Sequence, residues 1–152
     1  IKIAIDAIKS GKNCHTFLGI NEDGNASIIK TTGNDNCHII LRGGNGKTNY
    51  DEESIISTYE EMEKNGVKPN IIVDCSHGNS NKDYRNQPKV VRNIIEQLKK
   101  SRKYIKGIMI ESNIFEGNQK ISDNMKYGVS VTDSCISFEN SELLLDELYN
   151  SL

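Results

Sequence analysis

Four apolar, β-type runs in this chain each end on a residue able to do chemistry, and no other feature constrains the fold as strongly. They are Cys37-His-Ile-Ile-Leu-Arg42-Gly-Gly, Ile71-Ile-Val-Asp-Cys-Ser-His77, Ile108-Met-Ile-Glu111-Ser and Val129-Ser-Val-Thr-Asp133. Arg42, His77 and Glu111 follow one another at intervals of about 35 residues, the length of one βα unit. Parallel α/β architectures collect their functional groups at the carboxyl ends of strands. An arginine, a histidine and two carboxylates on one rim point to a divalent metal beside a phosphate.

The intervening segments carry helical spacing. Ile1, Ala4, Ile5 and Ile8 make one stripe, closed by Gly11 as a natural C-terminal stop. Ile55, Ile56, Tyr59 and Met62 predict a second helix near Asp51–Asn65, and Val90, Val91, Ile94, Ile95 and Leu98 a third over Lys89–Lys100. A closing helix is expected around Ser141–Leu152, capped by Asn140 or Ser141. Cys14–Ile20 and Ala26–Thr31 flank Asn21-Glu-Asp-Gly-Asn25, and Asp-Gly between two β runs predicts a hairpin. Being antiparallel, it reads as an excursion from a parallel scheme.

Alternating strands and helices imply a parallel sheet with right-handed crossovers. The fold class is therefore α/β, either half of an eightfold barrel or a small open sheet. A first helix without a strand of its own favours the half barrel. Residues 1–152 read as part of one domain, with the hairpin over about 14–31. The chain lacks an initiator Met and opens inside a helical pattern, as expected of a portion of something longer.

Composition removes several classes. With 36% apolar and 26% charged residues, the 152-residue chain has no disorder signature. A net charge of −2 gives no basic field for nucleic acid or a membrane surface. No apolar run reaches the roughly 18 residues of a membrane span, and no signal peptide is visible. Cys14, Cys37, Cys75 and Cys135 lack CxxC spacing, which suggests buried, reduced thiols in a cytoplasmic protein.

Each candidate residue also has a plainer explanation. His77 would serve equally as a hydrogen-bonded strand end, Asp133 as a helix cap and Arg42 as a surface residue beside a turn. Taken together on successive strand tips, His77, Glu111 and Asp133 match the ligands of Mn, Fe, Co or Zn. Arg42 before Gly43-Gly44 offers a bidentate fork to phosphate, with backbone able to approach closely. Lys82–Pro88 reads as a rim segment, with direct substrate contact the lesser alternative, and Glu116-Gly-Asn-Gln119 as a loop suited to ordering a lid or ligating water.

Ile40-Leu-Arg-Gly-Gly44, Asn49-Tyr50, Asp74-Cys-Ser-His-Gly-Asn-Ser80, Met109-Ile-Glu-Ser112, Glu116-Gly-Asn-Gln119, Tyr127-Gly128 and Ser130-Val-Thr-Asp-Ser-Cys135 resemble type I 3-deoxy-D-arabino-heptulosonate 7-phosphate (DAHP) synthase. The resemblance runs from Ile1 to Leu152 and covers that family's C-terminal half. It implies strands five to eight of a (β/α)₈ TIM barrel with an inserted β-hairpin. The implied activity is a transferase reaction: metal-dependent condensation of phosphoenolpyruvate with erythrose 4-phosphate, the first step of the shikimate pathway.

By the same resemblance, His77, Glu111 and Asp133 are metal ligands. Arg42 binds the phosphate of phosphoenolpyruvate, and His77 and Asp133 also face substrate. Arg42 and His77 form the catalytic pair. Phe17, Gly19 and Ile29 fall in or beside a regulatory pocket for an aromatic amino acid effector. The family's fourth ligand, a cysteine on the first strand, matches no cysteine here. The chain alone is thus expected to be inactive, completed by an N-terminal half of the same barrel or within a homo-oligomer. Two other readings remain: a metal-dependent aldolase on the same barrel, and a non-catalytic aromatic amino acid binding fragment.

Overall fold

The computed structural model describes all residues, Ile1–Leu152. In chain order the elements are α1 (Lys2–Gly11), β1 (Thr16–Ile20), β2 (Ala26–Lys30), β3 (Ile39–Leu41), α2 (Glu52–Lys64), β4 (Ile71–Asp74), α3 (Gln87–Lys100), β5 (Ile105–Met109), β6 (Ser112–Asn113), β7 (Ile136–Ser137) and α4 (Phe138–Tyr149). The class is mixed α/β.

Strands β3, β4 and β5 form a parallel sheet in that order. Ile71 lies between Ile39 and Ile105, but Ile72 faces Gly107 on β5, so Lys106 is an extra residue at a bulge. One face is packed: Ile5 and Ile8 of α1, Ile55 and Met62 of α2, and Ile94 of α3 cover Leu41, Ile71 and Val73. A second core joins Cys75, Val90, Val91 and Ile95 to Ile136 and Leu144. Helix α3 therefore feeds both cores, with Ile94 in the first and its neighbours in the second. The first core holds 11 buried residues and the second 6, and each fully buried Val, Leu, Ile or Met side chain contributes about 1.5–3 kcal/mol of transfer free energy.

The hairpin forms as expected, β1 pairing antiparallel with β2 from Thr16↔Lys30 to Ile20↔Ala26. The Asn21 side chain organises its turn by accepting from the backbone N–H groups of Asp23 and Asn25.

Elsewhere the sequence reading needs correction. Ile1 and Ala4 of the first stripe are exposed, and only Ile5 and Ile8 reach the core. In α2 the buried third position is Thr58, whose hydroxyl donates to the Ser54 carbonyl at 2.8 Å. Helix α3 starts at Gln87 rather than Lys89, with Pro88 in its first turn, where its missing N–H costs nothing. The cap of α4 is Ser137, which accepts from the Asn140 N–H at 3.2 Å; neither Asn140 nor Ser141 takes that role.

The largest difference concerns Val129–Asp133, which is not a strand. Gly128 turns the chain at φ +76°, and Gln119 takes the carbonyls of Val129 and Ser130. Ser130 makes only an isolated parallel bridge, with Asn118. The extended pair is instead Ile136–Ser137, parallel to Ser112–Asn113, because Ile136 fills the second core while Val131 stays 45% exposed.

All four cysteines are free, with Cys14 exposed and Cys75 and Cys135 buried. Burial, reinforced by the adjacent Asp74 carboxylate, pushes the Cys75 thiol up to about 12. A thiol-reactive dye at pH 8 should label Cys14 first and Cys75 only after denaturant unfolds the chain. Rapid labelling of Cys75 in the folded protein would mean that the second core is open.

Candidate active site

The loop after β4 builds the site. Asp74 ends the strand almost fully buried and accepts from the Ser76 N–H at 2.8 Å. Its second oxygen lies 2.7 Å from His77 Nδ1. A carboxylate only accepts, so Nδ1 donates to Asp74 and Nε2 is the ring nitrogen left pointing outward. That nitrogen faces Glu111 Oε1 and Asp133 Oδ2, each 3.6 Å away. The separation is too long for a hydrogen bond.

Glu111 is held from two sides. Ser76 Oγ donates to its Oε2 at 2.6 Å. The side chain of Gln87, fully buried, accepts from the Glu111 N–H at 2.8 Å and donates to its carbonyl at 3.2 Å. Asp133 arrives differently, from a bend that precedes β7 rather than from the tip of a strand, and its side chain is the most exposed of the three at 58%. The cluster opens to solvent on that side.

The donor atoms of His77, Glu111 and Asp133 lie within 4.8 Å of one another. Ligands of one divalent ion at about 2.0–2.2 Å are separated by roughly 3–4 Å. One neutral nitrogen and two carboxylate oxygens, none spent on another member of the set, fit a borderline-to-hard cation. No cysteine belongs to this group.

Arg42 follows β3 and lines a cavity of about 460 Å³ together with Gly43–Gly46, His77, Gly78, Asn81 and Lys82. Two glycines bring the loops together. A Cβ on Gly43 would stand 2.8 Å from the Gly78 carbonyl carbon, and one on Gly78 would stand 2.7 Å from that of Gly43. Asn79 fastens the contact by donating to the carbonyls of Leu41 and Asp74, while its Oδ1 accepts from the Asn49 N–H. Asn49 in turn accepts from the Gly43 N–H at 2.8 Å.

The chain has four non-glycine residues at positive φ: Asn45, His77, Asn81 and Lys82. All four line this cavity, so backbone strain is concentrated at one place, as at functional sites.

The sequence-level candidates Arg42, His77, Glu111 and Asp133 are therefore brought to one rim. Phe17, Gly19 and Ile29 are not part of it. They form a separate group on one face of the hairpin, where Phe17 pairs with Ile29 and a Cβ on Gly19 would meet Ile29 at 2.8 Å. Asp74, Ser76 and Asn79 have no individual role in the sequence reading, and Lys82 and Gln87 enter it only as members of the Lys82–Pro88 rim segment. Asp74 had a signal: a carboxylate closing an apolar strand needs a buried partner, and His77 stands three residues on. Gln87 had none, since its partner is 24 positions away. Within the rim segment, Arg85 is turned onto Asp83 at 2.9 and 2.8 Å. That guanidinium holds the Asp83 carboxyl below its usual range and leaves Arg85 outside the cavity lining. Gln119 closes its own loop through Lys126 and Val129 rather than ordering a lid.

A sequence model of the DAHP synthetase I family matches residues 1–146. The chain belongs to the DAHP synthetase I family. It is 47% identical over 152 residues to the Tyr-sensitive phospho-2-dehydro-3-deoxyheptonate aldolase of Escherichia coli, covering 98% of this chain and 42% of that protein. The phenylalanine-inhibited enzyme of Saccharomyces cerevisiae is 44% identical over 157 residues, with 97% and 42% covered. A Tyr-sensitive family member from Enterobacter agglomerans is 46% identical and is covered over 71% of its length. The solved phospho-2-dehydro-3-deoxyheptonate aldolase of Francisella tularensis superposes with a TM-score of 0.93 at 39% identity, over 99% of this chain and 44% of that one. The chain thus spans about two-fifths of the Escherichia coli and yeast family members it matches. No helix in it is long and apolar enough to cross a membrane.

The His77 geometry is directly testable. Nitrogen-15 spectra should show the Nδ1–H tautomer in the parent and loss of that preference in Asp74→Ala. A parent imidazole protonated on Nε2 alone would overturn the orientation described here.

Proposed function

We propose that the protein carrying this chain is a metal-dependent DAHP synthase, joining phosphoenolpyruvate to erythrose 4-phosphate in the cytoplasm. The observation that carries the reading is the convergence of His77 Nε2, Glu111 and Asp133 within 4.8 Å beside the Arg42 cavity, in a chain of this family. Residues 1–152 correspond in this reading to strands five to eight of a (β/α)₈ barrel domain. Two features support it. Both outer edges of the β3-β4-β5 sheet lack a strand partner, and Ile40 on its uncovered face is 51% exposed. Parallel sheets are normally covered on both faces.

Each residue has a task. The Arg42 fork receives the phosphate of phosphoenolpyruvate, and glycines at 43, 44 and 46 admit the anion close to backbone. His77 Nε2, Glu111 and Asp133 would hold a divalent ion of the Mn, Fe, Co or Zn type. When bound, such an ion supplies Lewis-acid polarisation of the erythrose 4-phosphate aldehyde. Asp74 keeps the imidazole oriented, and Ser76 and Gln87 keep Glu111 in place. The new bond joins C3 of phosphoenolpyruvate to the aldehyde carbon. Water adds at C2, and inorganic phosphate departs with cleavage of the C–O bond.

In the complete protein, His77→Ala, Glu111→Ala and Asp133→Ala should each weaken divalent metal binding by at least the roughly 10–100-fold typical of losing a supporting residue, and turnover should nearly vanish. Arg42→Lys keeps charge and loses the fork, so the KM for phosphoenolpyruvate should rise while metal affinity stays near parental. Metal titration and steady-state kinetics on the four variants check both. Parental metal affinity in the three alanine variants would sink the site assignment.

We also propose an aromatic amino acid effector at the Phe17–Gly19–Ile29 face, in line with the Tyr-sensitive and phenylalanine-inhibited family members. A side chain at Gly19 must displace Ile29, so Gly19→Val should relieve inhibition while uninhibited activity stays near parental. Inhibition curves with Phe, Tyr and Trp provide the measurement, and unchanged curves would remove Gly19 from the effector site.

A further inference from the structure

Lys82 joins the two halves of the site. It lines the Arg42 cavity, and it also lines the narrow cleft formed by Ser76, His77, Glu111, Asp133 and Ser134. Only His77 and Lys82 belong to both. The backbone reaches this place at a cost, because Asn81 and Lys82 are consecutive left-handed residues at φ +55° and +59°. Asparagine tolerates that region, whereas lysine gains nothing from it. The turn is held by a short bond from the Lys82 N–H to the His77 carbonyl, 2.7 Å. The ammonium itself makes no hydrogen bond or ion pair with the protein, although two carboxylates line the same cleft. Its neighbour in sequence, Asp83, is already engaged by Arg85.

An exposed ammonium, on a strained backbone at a position that lines both the Arg42 cavity and the His77 cleft, is suited to a ligand with negative charge at two points. We propose that Lys82 is a substrate-binding residue, its ammonium bridging the phosphate held by Arg42 and the carboxylate end of the same phosphoenolpyruvate molecule near His77. This rests on the synthase reading above and adds a contact to it. A lysine suits such a bridge because its point charge has three rotatable donors, which can serve two acceptors without the planar constraint of a guanidinium.

The test uses the complete protein with phosphoenolpyruvate as the titrant, measured calorimetrically, and three variants. Lys82→Met keeps the stem and removes the charge, and a lost charge-assisted contact should raise the Kd for phosphoenolpyruvate roughly 10–100-fold, with metal affinity unchanged. Lys82→Arg should recover most of that loss. Lys82→Gly relieves the backbone strain, so its melting temperature should hold or rise while its affinity falls as in Lys82→Met. A purely structural lysine would behave in the opposite way, with Lys82→Met and Lys82→Gly binding phosphoenolpyruvate like the parent. That outcome, alongside impaired binding by Arg42→Lys, would overturn the role of Lys82 and leave the synthase reading standing. Absence of phosphoenolpyruvate binding by the parent protein would overturn both.

Discussion

Gly43 and Gly78 touch backbone to backbone, and the spatial relation between the Arg42 cavity and the carboxylate cluster depends on that contact. Adjacent strands lie about 4.8 Å apart, so parallel β3 and β4 already place their ends side by side. Loops leaving those ends would ordinarily diverge. Here any Cβ at either glycine would come within 2.8 Å of the facing backbone, a distance that forces the loops apart. Gly43 also sits at φ +68°, where an L side chain costs about 1–2 kcal/mol. Asn79 then closes the junction, satisfying carbonyls from both strands and ordering Asn49 beneath the Arg42 loop.

On that frame, three carboxylates surround one imidazole, and burial divides their work. Asp74 is buried and saturated by the Ser76 N–H and His77 Nδ1, so its charge is spent on orientation. Glu111 and Asp133 each leave an oxygen facing His77 Nε2 at 3.6 Å. Two carboxylates converging on one imidazole nitrogen repel one another unless positive charge lies between them. The supporting bonds from Ser76 and Gln87 keep Glu111 from turning away. A rigid inner carboxylate that orients the imidazole and two outward ones suit the metal site proposed above.

The hairpin stands outside this economy of contacts. Leu18, Ile20 and Ile28 on one face are more than 70% exposed, and Phe17 on the other is half exposed. An isolated two-stranded hairpin is marginal in water. Its local turn chemistry at Asn21, with anchors from the Asn34 N–H to the Gly11 carbonyl and from His15 to Ser10, keeps it in place.

Local pattern was enough for much of this. The hairpin follows from Asp-Gly between β runs, the helices from their stripes, and β3, β4 and β5 from short aliphatic runs that only a buried parallel sheet satisfies. Arg42, His77 and Glu111 were also legible as rim candidates, because a polar group closing an apolar run has few places to go, whereas Asp133 reaches the same rim from a bend rather than from the expected strand. The largest error has a long-range cause. Val129–Asp133 alternates like a strand, yet its carbonyls are claimed by Gln119, and β7 forms where Ile136 can enter a core built by α3 and α4. The clasp of Gln87 on Glu111 and the double reach of Lys82 depend on groups distant in sequence, whereas the Ser137 cap is local and follows from where β7 ends. The sequence by itself determined which residues would stand at the rim, since hydrophobic periodicity is a local property. Only the tertiary structure decided how they face one another, because a 3.6 Å approach of two carboxylates to one imidazole nitrogen is set by loop contacts between strands.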